Sequence, residues 1–238
     1  MNQGNGCCHH QAYGNSHRSL PIIRDAPAVR DRQSQKLYIC AALCAFLFAI
    51  LARGVANGSA DAFDAAIRNQ IHAHATSGFT EIAQLLSLTG SAIVWVPGLA
   101  VAIAAFWIMH DRRRAFALAI VMAGATLLDN GLKLVFHRVR PDVFFGVLPD
   151  TFSFPSGHAL FSLCFYGALG AVFATQLRST AIRIAIWILI AFLVLCIGLS
   201  RIYLGVHYPT DVLAGFLAGG AWLSGVCGTG LVRSARPS

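Results

Sequence analysis

Between Lys133 and Asp211 an otherwise apolar chain of 238 residues carries three short polar clusters. The first is Lys133, six intervening residues, then Arg140-Pro141. The second is Pro155-Ser156-Gly157-His158. The third is Ser200-Arg201, five residues, His207, three residues and Asp211. Together they offer three fixed cations, two imidazoles, one carboxylate and a Ser-Gly turn. That set suits a phosphoryl group. Cations and backbone N–H groups hold its oxygens, one imidazole attacks phosphorus, and the other manages the leaving-group proton.

The elements that must position these residues are membrane helices. The chain is 56% hydrophobic and only 12% charged, about half the charged share of a soluble domain. Apolar runs recur near 37–56, 91–109, 115–136, 157–175, 182–199 and 209–231, each close to the roughly 20 residues that cross a bilayer core. Backbone in lipid must satisfy its own hydrogen bonds, so the spans are expected to be helices. The predicted fold is all-α, a single bundle of six transmembrane helices. Residues 58–90 alternate Asp61, Asp64, Arg68, His72, His74 and Glu81 with Phe63, Ile67, Ile71, Phe79, Ile82, Leu85 and Leu86. This spacing predicts one or two amphipathic helices lying on the membrane or over the bundle.

Residues 1–35 are polar and without an apolar period, and are read as a disordered tail; 233–238 form a second short tail. The first apolar run starts too late for a signal peptide. Of the seven cysteines, five lie in apolar runs and read as small buried hydrophobes. Cys7 and Cys8 adjoin His9 and His10, but no second ligand cluster follows them at zinc-finger spacing. His72 and His74 stand two apart, so on a helix they share no face and make a poor metal pair. The net charge of +8 sits in loops and tails without an aromatic-interleaved basic patch, so nucleic acid is not an expected partner. Twelve of the eighteen Lys and Arg residues fall before the first apolar run, after the last, and in the 110–114 and 176–183 loops. By the positive-inside bias both termini are expected in the cytoplasm, with the three clusters meeting on the extracytoplasmic face.

Each cluster alone has an ordinary reading. Lys133 or Arg201 can snorkel to the interface, His158 can be a bonded core histidine, and Ser-Gly is a common turn. Their joint spacing is what carries a function. The pattern K-x6-RP, PSGH and SR-x5-H-x3-D resembles the signature of the type 2 phosphatidic acid phosphatase (PAP2) superfamily at all eleven of its fixed positions. The segment from Leu199 to Phe216 is similar in particular to bacterial prenyl-diphosphate and phosphatidylglycerophosphate phosphatases.

The resemblance implies a membrane phosphatase domain over 36–232 and a role for each motif residue. His207 is implied as the nucleophile that forms a phosphohistidine, with Asp211 one helical turn on to orient it. His158 is implied as general acid, then base. Lys133, Arg140 and Arg201 are implied to bind the phosphoryl oxygens, with Ser156 and Gly157 at a helix N-terminus. No metal or other cofactor is expected, because three cations already face the phosphate and no acidic two-metal cluster is present. Asp129, one turn before Lys133, is expected to orient that lysine.

The implied reaction is hydrolysis of a phosphate monoester or diphosphate on a lipid, in the bacterial inner membrane. Undecaprenyl diphosphate or phosphatidylglycerophosphate comes first as substrate, phosphatidic acid or a lipid A phosphate next. The alternative is a transporter or flippase that binds a phosphorylated lipid without cleaving it. Nothing in the sequence sets the oligomeric state.

Overall fold

A computed structural model describes residues 27–145 and 147–232. It contains eight helices: α1 (Pro27–Ala56), α2 (Asp61–Ala73), α3 (Ser77–Thr89), α4 (Ala92–Ile108), α5 (Arg112–Phe136), α6 (Gly157–Ala174), α7 (Thr180–Tyr203) and α8 (Pro209–Gly228). No strand occurs among the described residues. Among the described residues six segments are long and apolar enough to cross a membrane, and the chain is a multi-pass membrane protein. The expected all-α, six-span architecture is therefore observed.

Two boundaries differ from the sequence expectation. α1 begins at Pro27, so residues 27–35, expected to be tail, are helical. The rest of that tail, including the Cys7, Cys8, His9 and His10 group, lies outside the described residues, as does 233–238. The second span runs from Ser77 to Ile108 and includes both α3 and α4, whereas the sequence placed its start near 91. The cause is the apolar content of α3, which an alternating reading of 58–90 assigns to the membrane surface. Only α2 remains a separate amphipathic helix.

Local chemistry sets the helix ends. Asp111 caps α5, its Oδ1 accepting from Arg114 N at 3.2 Å, and Ser179 accepts from Ile182 N to start α7. α5 ends on His137 in the left-handed region, with φ 45°. Pro209 opens α8, where a missing N–H costs nothing.

The core lies between α5, α6 and α8, around Leu118, Val121, Leu160, Cys164 and Val172, all essentially inaccessible. Trp222 of α8 packs onto Gly124 of α5 and donates its indole N–H to Val121 O at 2.8 Å. The contact of most consequence is Gly215 of α8 against the start of α6. A Cβ there would lie 2.5 Å from the Ser156 carbonyl oxygen. Only glycine lets the helix that carries His158 and the helix that His207 precedes approach this closely.

Candidate active site

The three clusters converge at one end of the bundle. Lys133 is in the last turn of α5, Arg140 in the loop after it, Gly157 and His158 open α6, Arg201 ends α7, and His207 precedes α8. These six line a cavity of about 210 Å³ together with Trp95, Phe161 and Thr151. Trp95 and Phe161 stack at 5.1 Å between ring centroids and form an apolar wall.

His207 is only 2% exposed. Its Nδ1 faces Asp211 Oδ2 at 3.4 Å, and its Nε2 faces Nη1 of Arg140 at 3.1 Å. A guanidinium can only donate, so Nε2 carries the lone pair and Nδ1 the proton. Burial lowers the His207 pKa to about 4; the Asp211 contact opposes this, and Arg140 and Arg201 add to it. The resting imidazole is therefore neutral at physiological pH, with the lone pair of Nε2 on the cavity side and accepting from Arg140.

Arg140 is held by carbonyl and hydroxyl groups rather than by a carboxylate. It donates to Val206 O at 2.8 Å, to Thr151 O at 2.7 Å and to Thr151 Oγ1 at 2.8 Å. Burial lowers its proton affinity, with Asp211 and Asp129 opposing. Its charge thus stays unneutralised by direct contact. Arg201 bonds Ser87 of α3 through Nη1, while its Nε is buried with no partner in the protein. Lys133 donates to Asp129 Oδ2 at 2.7 Å, the pairing expected from their spacing. The other Asp129 oxygen is buried and unpartnered. Gly157 makes room for both: a Cβ there would meet Asp129 Oδ1 at 3.2 Å and Lys133 Nζ at 3.3 Å. An unpaired cationic donor, a partly paired lysine and a free helix N-terminus around one small cavity suit an oxyanion.

Ser156 and Asp211 stand behind this wall. Asp211 is fully buried. Ser156 is also fully buried, its backbone N–H donates to Asp211 O at 2.9 Å, and its hydroxyl is without a partner. It is not among the residues that line the cavity, while its neighbour Gly157 is, and its backbone N–H ties α6 to α8.

The structure also brings in residues that the motif leaves out. Asp211 accepts from Arg138 Nη1 at 2.7 Å, from Ser153 Oγ at 2.5 Å and from the Tyr208 N–H at 2.9 Å. All three are closer than His207. Arg138 in turn donates from Nη2 to Asp64 of α2 at 2.8 Å. Asp211 and Asp64 hold its pKa above the ordinary value despite burial, which acts the other way. The ring of Tyr208 covers this guanidinium at 4.0 Å, and burial raises the phenol pKa while Arg138 and Arg68 oppose it. Tyr203 is also structural here: its hydroxyl joins Thr76 and Thr80 and so ties α7 to α3. His72 stacks on Phe144 at 4.0 Å. Among the described residues no group of three His, Cys, Asp or Glu gathers in metal-binding fashion.

Comparison with known proteins gives this arrangement its context. Residues 114–229 match the PAP2 superfamily. Phosphatidylglycerophosphatase B of Bacillus subtilis is 28% identical over 173 residues, 72% of this chain and 85% of that protein. An undecaprenyl-diphosphatase of Sulfolobus acidocaldarius is 33% identical over 147 residues, 58% of this chain and 64% of that protein, a little under two thirds of its length. The crystal structure of a transmembrane PAP2-type phosphatidylglycerolphosphate phosphatase from B. subtilis superposes with a TM-score of 0.76 at 26% identity, covering 83% of this chain and 99% of that one.

Proposed function

We propose, from the premise that this chain carries a PAP2 superfamily domain and is a membrane lipid phosphatase of that type, that it removes phosphate by way of a phosphohistidine at His207. The observation that carries this reading is the environment of His207: a neutral imidazole with Nδ1 towards Asp211 and Nε2 towards a cavity walled by Lys133, Arg140 and Arg201. Pure binding needs no such nucleophile.

In the proposed reaction Nε2 attacks phosphorus while the bond to the leaving oxygen breaks. His158 gives that oxygen a proton. The three cations and the α6 N-terminus bear the charge on the equatorial oxygens. Asp211 stabilises the charged, phosphorylated ring. Water then attacks phosphorus, His158 takes its proton, the P–N bond breaks, and phosphate leaves with His207 regenerated. No step calls on a metal ion or other cofactor.

The cavity, at about 210 Å³, is of a size for a phosphoryl group and its immediate linkage, so the hydrocarbon tail stays outside among lipids. Undecaprenyl diphosphate or phosphatidylglycerophosphate is the proposed substrate, with phosphatidic acid and lipid A phosphates next. The site is proposed to face the extracytoplasmic side of the bacterial inner membrane, with both termini in the cytoplasm. Phosphate release by purified protein from a panel of these lipids in detergent, with and without EDTA, tests the reading. Turnover that survives chelation is expected. Lipid binding without phosphate release would favour a transporter, and loss of turnover in EDTA restored by a divalent ion would overturn metal independence.

A further inference from the structure

We propose that Asp64, on the amphipathic helix α2, is a positioning residue of the phosphatase: by sharing the guanidinium of Arg138 it leaves Asp211 the negative charge that His207 needs. The proposal rests on His207 as the nucleophile.

Asp64 is completely buried although it belongs to a helix outside the spans. Its Oδ1 accepts from Thr210 N at 2.9 Å. Its Oδ2 accepts from Thr210 Oγ1 at 2.5 Å and from Arg138 Nη2 at 2.8 Å. Thr210 is the residue before Asp211, so α2 grips the first turn of α8 directly. Arg138 reaches Asp211 with its other terminal nitrogen and also bonds Thr210 Oγ1, at 2.8 Å. One guanidinium is thus clamped between two buried carboxylates. Asp61, largely exposed, stands 3.6 Å from the same group.

Charge decides what this clamp does. Arg138 with Asp211 alone would be a neutral pair, and a carboxylate fully matched by a guanidinium has little left for a neighbouring ring. With Asp64 present the buried trio carries one net negative charge. Such a charge is costly unless it is matched. The match arises when His207 becomes positive, as it does on protonation or phosphorylation. Two cations around His207 disfavour that state, Arg140 from the α5–α6 loop and Arg201 from α7; Lys133 of α5 lines the same cavity but is paired with Asp129. His158 on α6 faces it as well. Asp211, reinforced by Asp64 through Arg138, is the counterweight. A purely mechanical anchor for α2 would need hydrogen bonds but not the charge.

The experiment uses the full chain in detergent and compares Asp64→Asn, Asp64→Glu and Asp61→Asn with the wild type. Turnover per folded molecule, KM and the acid limb of the pH–rate profile are measured. The proton affinity of His207 is followed separately by NMR with ¹⁵N-labelled histidine, its signal assigned by its absence in His207→Ala. Removing a negative charge makes protonated His207 less stable. Asp64→Asn should therefore move the His207 titration and the acid limb down by about half a pH unit or more. Its kcat should fall about tenfold as the ring becomes less basic, with KM within about twofold. Asp64→Glu should keep the titration near its wild-type position. An unmoved titration with unchanged turnover in Asp64→Asn overturns the proposal. If that variant does not fold, the exposed Asp61→Asn decides: a smaller shift in the same direction supports the proposal, and no shift overturns it. Activity persisting in His207→Ala would instead remove the nucleophile assignment, while the NMR titration still reports whether Asp64 acts on His207.

Discussion

Nη1 of Arg140 stands 3.1 Å from Nε2 of His207, so the atom assigned as nucleophile is capped by a cation before substrate arrives. A phosphate entering the cavity offers that guanidinium a better acceptor. Moving the N–H from ring to phosphate frees the lone pair at the moment an oxygen of the substrate is fixed beside it. Arg140 can make this exchange because Thr151 and Val206 hold the rest of its fork.

Arg140→Lys keeps the charge but loses the fork, since an ammonium cannot satisfy these acceptors and a phosphate oxygen in one plane. Turnover should fall by about 10²-fold or more, a loss of the size seen when one preorganised donor is removed. The check is phosphate release alongside thermal unfolding. A variant with wild-type turnover in its folded fraction and a much lower Tm would make Arg140 a loop anchor only.

The pH profile follows from the burial of His207. An ordinary imidazole takes up a proton near 6.5, and here the value is about 4, a difference of roughly 3 kcal/mol against the charged form. Protonation removes the lone pair, so His207 should not limit kcat/KM until pH approaches 4. An acid limb near 6.5 that disappears in no other variant would mean His207 is solvated. The same shift has a stability sign. Between about 6.5 and 4 the unfolded chain binds a proton at this residue that the folded chain does not. The fold should therefore lose stability as pH falls through that window and regain it as pH rises. Thermal melts of wild type and His207→Ala at pH 4.5 and 7 measure the difference.

How far the sequence reached differs between parts of the site. Six spans were legible because lipid demands long apolar helices, and the convergence of the motif residues on one cavity was legible because their polar types and spacing stand out in an apolar chain. Arg138 was not, although it lies two residues before Arg140; it counted as one more basic loop residue. Asp64 was readable in principle. On α2 it shares a face with Ile67, Arg68 and Ile71, and a carboxylate set in an apolar stripe signals a buried partner. Ser153 could not be found this way, because the loop from 137 to 156 folds back through long-range bonds such as Ser153 N to Arg138 O, at 2.8 Å, that no period encodes. The burial of Ser156 was not legible either: its place in PSGH suggested a phosphate ligand, and nothing in that motif announces the close approach of Gly215 to its carbonyl oxygen.

Sidedness rests on the distribution of Lys and Arg and has a direct test. In an otherwise cysteine-free variant, Val147→Cys places a thiol at an 88% exposed position in the loop beside the site. Arg112→Cys places one at the opposite end, at the exposed start of α5. An impermeant maleimide added to intact spheroplasts should label the first and spare the second. The reverse pattern would turn the site towards the cytoplasm and require a substrate presented there.

The two histidines should be separable by leaving group. Without His207 no P–N bond forms, so His207→Ala should be inactive on every substrate. Without His158 the attack still occurs, but the leaving oxygen departs without a proton. An alkoxide from phosphatidylglycerophosphate leaves poorly and should suffer the whole general-acid loss, about 10²–10⁴-fold. A nitrophenolate needs little help and should lose far less. A lipid diphosphate, which leaves as a phosphate anion, should fall between them. His158→Ala also deprives water of its base, so the phosphoryl group should linger on His207. Short incubation with labelled substrate, followed by quenching in base, where phosphohistidine survives, should trap more label in this variant than in the wild type. Equal losses across the three leaving groups, with label found at His158 in the wild type, would mean that the roles of the two rings are exchanged.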